Sequence, residues 1–286
     1  MTRRNILQGM LLMLGADVAF AAMAAATQFT GRGVSSWQII FIRSLVSTLI
    51  LWLWLTLKKV PLTGREPGLL WARGIIGYTA LQCYFWALPQ LPLGTAIMLN
   101  YTAPIFAVIL SYWLLRERPG LTSVFSLLLS FAGLFVMSQP SWSDRPWAIL
   151  AGMMSGILAG LVHVLIRRGN RTDDPLLIIF YFTVSSTVGS GILCLTLGWT
   201  RPDAAQWTGL ALLTLTSFAG QLCLTHSLQK APVWAASPLG FLTPVMGLGL
   251  GSYLWGQQAG VQEIAGASLI IAGGAYLVFD FYFRKK

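Results

Sequence analysis

Two long apolar stretches, each with a proline in the middle of its first run, recur 140 positions apart in this chain. The first runs from Leu91 to Met137 and the second from Ala231 to Leu277. Aligned without a gap they share ten identities over 47 positions, including Pro92/Pro232, Leu99/Leu239, Pro104/Pro244, Gly120/Gly260 and Gly133/Gly273. Proline removes a backbone donor and glycine admits turns and close approach, so both carry positional meaning. Their recurrence marks a duplicated unit rather than shared composition. Each copy holds two apolar runs of about 20 residues, one bilayer's length. A short turn separates them, Arg116-Glu117-Arg118-Pro119-Gly120 in the first copy.

Composition decides the solvent. The 286 residues are 56% hydrophobic and 10% charged, with a mean hydropathy of +0.69. A soluble domain of this size needs more charge on its surface. The long apolar runs predict a polytopic, all-α membrane protein, since a barrel would show strands of about 10 residues with alternating polarity. Ten spans are predicted, at about 6–28, 36–57, 67–88, 94–115, 121–138, 146–168, 174–197, 206–228, 232–255 and 262–282. The first also has the parts of a signal peptide, Arg3-Arg4, an apolar core and Ala24-Ala25-Ala26. Cleavage there would leave nine spans and undo the duplication, so a retained span is expected.

The net charge of +10 would suggest nucleic acid on a soluble protein. Here the basic residues lie between apolar runs and report orientation. Fourteen of the nineteen, among them Arg3, Lys58, Arg65, Arg116, Arg167, Lys230 and Arg284–Lys286, fall on one side, and Arg32, Arg145 and Arg201 on the other. Both termini are therefore expected in the cytoplasm. Five spans per unit is odd, so units 1–140 and 141–286 should lie upside down relative to each other. The basic turn Arg116-Glu117-Arg118 indeed corresponds to the uncharged Gly256-Gln257-Gln258. An inverted repeat under the positive-inside rule behaves this way. Trp37, Trp142, Trp147, Trp199 and Trp207 fall near the expected interfaces.

With those residues in view, the chain resembles the drug/metabolite transporter superfamily, EamA family, over essentially its whole length. The most specific parts are Ala87 to Pro104, Leu114-Leu115-Arg116-Glu117-Arg118 and Ala132-Gly133, and Arg43 fits an arginine often found in the second span. The resemblance implies ten helices in two inverted five-helix repeats around a central cavity. It also implies secondary transport of a small metabolite across the inner membrane. One departure is Gln257, where the second repeat often carries Glu.

No GxSxG, HExxH, GxxxxGK[ST] or clustered His/Cys set occurs, so no catalytic residue, metal, cofactor or ATP site is expected. Cys83, Cys194 and Cys223 are isolated in apolar runs. Asp17 is the single carboxylate deep within a span. Its depth differs from that of Arg43 by roughly 6 Å at 1.5 Å per residue. The two could form a structural ion pair or a proton-coupling site. Arg73 is expected to snorkel towards headgroups. Tyr78, Gln82 and Trp86 share one helical face, and Asn100 and Tyr101 precede Pro104. Ser217, Gln221 and Thr225 form a second stripe, and Phe241 precedes Pro244. With His163 these give a candidate substrate layer of Tyr78, Gln82, Trp86, Asn100, Tyr101, His163, Gln221 and Phe241, with Pro104 and Pro244 as helix bends. The alternative role for the same polar groups is helix–helix hydrogen bonding.

The expected function is alternating-access transport of a small organic metabolite, an amino acid or related compound being one candidate. The expected partners are that metabolite and the lipid bilayer, without nucleic acid, and the working unit is expected to be a monomer. A polytopic membrane enzyme or a receptor-like protein is the competing class.

Overall fold

The structure is a computed structural model that describes residues 2–30, 33–141 and 144–283. The readings placed on Arg32, Trp142, Arg284, Lys285 and Lys286 lie outside those residues. Every regular element among the described residues is helical: α1 (Arg3–Thr30), α2 (Ser36–Leu57), α3 (Pro67–Ala87), α4 (Leu93–Asn100), α5 (Ala103–Leu115), α6 (Leu121–Ser138), α7 (Pro146–Gly169), α8 (Pro175–Leu197), α9 (Ala204–Lys230), α10 (Val233–Ala236), α11 (Leu242–Trp255) and α12 (Val261–Phe283). A 3-10 turn, Ser237–Phe241, joins α10 to α11. Nine segments among the described residues are long and apolar enough to cross a membrane, with α4–α5 and α10–α11 counted as one each. The chain is thus a multi-pass membrane protein. The expected third span, α3, is a 21-residue helix outside that set; Arg73, Thr79 and Gln82 dilute its apolar character.

Local sequence explains the boundaries. Pro67, Pro146 and Pro175 sit in the first turns of α3, α7 and α8, where a missing N–H costs nothing. Asp174 caps α8 by accepting from Leu176 N, and Asp203 forms a capping box with Gln206 at α9. The helices before the two repeated turns end on left-handed residues at equivalent positions, Arg116 (φ 55°) and Gly256 (φ 64°).

Both broken helices break just ahead of the expected proline. α4 stops at Asn100, Tyr101-Thr102 turns, and Pro104 opens α5. α10 gives way to the 3-10 turn beginning Ser237-Pro238, and Pro244 lies in the first turn of α11. Proline is tolerated in a first turn but not in a helix interior, so the chain restarts its helix there.

The outer surface is greasy and the interior polar in small doses. Leu121, Leu195 and Val261 are each at least 85% exposed, a surface suited to lipid rather than water. Inside, Ser126, Ser155, Ser190 and Ser227 are buried and donate to main-chain carbonyls. Trp147, Trp199 and Trp207 are exposed near helix ends. The helices pair as α1 with α9, α3 with α7, α2 with α8, α6 with α12, α5 with α7, and α1 with α11. Close pairing needs small residues. A Cβ on Gly133 would lie 2.6 Å from the Gly266 carbonyl oxygen, so only glycine lets α6 and α12 meet there. Arg3 donates to the carbonyls of Phe281 and Tyr282, which puts both described chain ends at one end of the bundle.

Candidate functional site

Asp17 and Arg43 are both buried but do not pair. Thr243 Oγ1 donates to Asp17 Oδ1 at 2.8 Å, while Asp17 Oδ2 is buried without a partner. Arg43 Nη1 donates to Ser217 Oγ at 3.1 Å and approaches Met23 Sδ at 3.6 Å. The ion-pair reading assumed that consecutive spans are neighbours. Instead α1 packs on α9 and α11, and α2 on α8 and α9, so each side chain meets a partner from the far half of the chain.

The second break gathers polar groups from three helices. Thr243 at the start of α11 reaches Asp17 on α1, and Ser237 at the start of the 3-10 turn lies 2.9 Å from His163 Nδ1 on α7. Tyr101, in the first break, approaches Thr243 from the opposite half. Phe241 is fully buried and packs on Phe131, with ring centroids 6.4 Å apart. α7 can lie against the first break because its glycines leave room: a Cβ on Gly156 would meet the Leu99 carbonyl at 2.5 Å. Asn100 lies at that junction, half-buried.

A second locus is a cleft lined by Arg43, Ser44, Ser47, Ile179, Phe182, Thr183, Ser217, Phe218 and Gln221. Arg73 meets its wall. Its guanidinium lies 4.4 Å above the Phe182 ring, and its Nη2 donates to Gln221 Oε1 at 3.4 Å. The expectation that Arg73 snorkels is corrected here: the residue is 1% exposed, and its Nε and Nη1 have no partner. The side chain runs along α3 over Gly77, where a Cβ would collide with Nη1. The missing side chain at Gly77 turns the arginine inward.

The candidate substrate layer therefore divides. Tyr101, His163 and Phe241 gather at the breaks, whereas Gln221 belongs to the arginine cleft. Gln82 is half-buried beside Tyr78, one turn back on α3, and the Tyr78 ring fills the space over Gly189 of α8. Trp86 is 52% exposed and belongs to neither group. Sequence reasoning missed Phe182, Ser237 and the partners of Arg73. The signals were Ser237 beside Pro238 and glycine one turn after Arg73, both readable only once the breaks are known.

One end of the bundle is tied by charge. Arg167 Nε pairs with Glu117 Oε1 at 2.8 Å, Arg167 Nη1 donates to the Leu228 and Gln229 carbonyls, and Glu117 Oε2 accepts from Val233 N. These contacts join the residues just beyond α5 to α7, α9 and α10.

An all-helical, multi-pass fold with polar groups gathered at two interrupted helices defines a membrane transporter class. The EamA-like transporter family matches residues 7–139 and again 146–279, and the chain belongs to that family. A pseudopaline exporter of Pseudomonas aeruginosa strain UCBPP-PA14 is 26% identical over 92% of this chain and 93% of its own. An uncharacterised transporter of Helicobacter pylori is 28% identical over 95% of each chain. A riboflavin transporter of Vibrio cholerae is 24% identical over 85% of this chain and 81% of its own. A solved crystal structure shares the fold at a TM-score of 0.84 and 18% identity, covering 94% of this chain and 95% of that one. The protein is a drug/metabolite-type transporter rather than an enzyme.

Proposed function

We propose that this protein is a secondary transporter that carries a small organic solute across the inner membrane by alternating access. Its two inverted five-helix units are 1–140 and 141–286, its tenth span is α3, and its termini are cytoplasmic. The observation that carries the reading is the meeting of both interrupted helices at a buried carboxylate, with Thr243 bonded to Asp17 and Tyr101 beside them. Unwound backbone and a buried acid are costly in hydrocarbon unless they line a solute or ion path.

The pairing pattern supports the inversion. Under the 140-residue repeat, α7 corresponds to α1, α8 to α2, α9 to α3, α10–α11 to α4–α5, and α12 to α6. The most extensive pairs then have mates: α1–α9 with α3–α7, and α1–α11 with α5–α7, while α2–α8 and α6–α12 are their own mates. The reciprocity extends to residues. Gly133 packs on Gly266, and Gly273 packs on Ser126, which are the same two repeat positions exchanged. A two-fold contact has this self-complementary form. Such an axis in the membrane plane lets one arrangement serve both faces.

In this reading Tyr101, His163 and Phe241 surround the solute at the breaks, with Gln82 and Asn100 nearby, and Asp17 is the coupling group. The protein needs no further subunit for this. Reconstitution into liposomes with a panel of labelled metabolites tests the reading. Saturable uptake or counterflow of at least one solute is expected. Absence of flux for every solute under every imposed gradient would contradict it.

A further inference from the structure

Four charged residues stand out in the buried set: Asp17, Arg43, Arg73 and Arg167. Arg167 is paired with Glu117, and Asp17 is bonded to Thr243. That leaves two buried guanidinium groups, and among the described residues no carboxylate pairs with either. Both reach one face of α9. Arg43 donates to Ser217 and Arg73 to Gln221, side chains one turn apart, or about 6 Å of rise along α9. The cleft opens beside Arg43, with Ser217, Phe182 and Gln221 in its wall, and Arg73 stands behind that wall, against Phe182 and Gln221. Arg73 adds two buried, unpartnered donors, Nε and Nη1.

Two desolvated cations without a counter-ion are costly, and a buried charge is retained when something pairs with it. Guanidinium donors lie in a plane, in a fork that fits the paired oxygens of a carboxylate or phosphate. We infer that the Arg43–Arg73 cleft binds the anionic group of the transported solute, a carboxylate or phosphate held between the two guanidiniums. The inference rests on the transport reading above and narrows its substrate class. Phe182, beneath Arg73, holds the guanidinium plane in place, and Ser217 and Gln221 position the two arginines by accepting one N–H each.

The test uses purified full-length protein in neutral detergent, then the same preparation in liposomes. Succinate and inorganic phosphate are added at matched ionic strength, with sodium chloride and succinamide as controls, and thermal stability is followed. Stabilisation by succinate, phosphate or both is expected, the stronger of the two identifying the anion class, with none from succinamide. In Arg73→Gln the apparent affinity for that anion should fall about tenfold or more. Arg73→Gln removes an unpaired buried charge, so it should fold at least as well as wild type; Arg43→Gln is the second variant. In liposomes, solutes bearing a carboxylate or phosphate should be carried and their uncharged amides or esters carried poorly. Flux of neutral solutes, unaffected by either substitution and with no stabilisation by either anion, would overturn the anion site and leave the transport reading standing. Anion stabilisation lost in Arg73→Gln, with no flux of any solute, would uphold the site and overturn the transport reading. Equal stabilisation by sodium chloride, or equal affinity in both variants and wild type, would overturn the site.

Discussion

Asp17 keeps one carboxylate oxygen bonded to Thr243 and leaves the other buried and bare. Asp17→Asn preserves an acceptor for Thr243 while removing the titratable group. Folded yield and melting temperature near wild type are therefore expected, with transport that no longer responds to pH. A large drop in yield would make Asp17 part of the scaffold instead. Gln82 gives a second residue-scale prediction. Its neighbour is Tyr78, one turn back on the same helix, so Gln82→Leu breaks no tie between helices and should leave the melting temperature close to wild type. If Gln82 contacts the solute, affinity should weaken roughly 5- to 150-fold, the equivalent of about 1–3 kcal/mol. Titrating solute and melting the same sample separates the outcomes, and lost stability with intact affinity would remove Gln82 from the site. At this scale the sequence conveyed which residues are conspicuous, and Asp17, Arg43 and Phe241 are indeed buried. It did not convey their partners, because Asp17 meets Thr243 and Arg73 meets Gln221 across sequence separations of 226 and 148 residues. Arg73 was misread for the same reason: a position near a span end says nothing about whether the side chain turns outward or in.

Among the elements, the broken helices were the most legible feature, since proline and glycine report backbone directly. Pro104 and Pro244 mark the restarts, and Arg116 and Gly256 share a left-handed end despite differing in side chain. What the turn charges do was less legible. Glu117 and Arg167 read as orientation signals, yet they form the contact that ties the ends of α5 and α7 to α9 and α10. With side-chain exposures of 9% and 11%, this is a buried pair, and removing one partner strands the other. Glu117→Ala should cost about 3–5 kcal/mol, visible as a lower melting temperature, and the double change Glu117→Leu with Arg167→Met should recover much of it. A double variant as unstable as the single one would show that the contact's geometry, not its charge balance, matters. The α6–α12 pair makes a steric prediction. Gly133→Val must push against the Gly266 main chain, so a loss of about 1–3 kcal/mol is expected. Wild-type stability in that variant would mean the two helices are not held in contact.

For the whole molecule, we propose that two copies of one five-helix unit lie in opposite orientations and pack across a two-fold axis. The duplication, the charge asymmetry between equivalent turns and the reciprocal helix pairing all bear on that claim. The two described chain ends meet through Arg3 and the Phe281 and Tyr282 carbonyls, as the proposed ten spans would require. The most direct measurement is the accessibility of single cysteines, placed at Arg65, Arg118, Arg145 and Arg201 in a chain lacking Cys83, Cys194 and Cys223, to a membrane-impermeant maleimide in intact cells. The account predicts labelling of positions 145 and 201 from outside, and of 65 and 118 only after permeabilisation. Labelling of 145 and 201 only after permeabilisation, or of 118 and 145 from the same side, would contradict it.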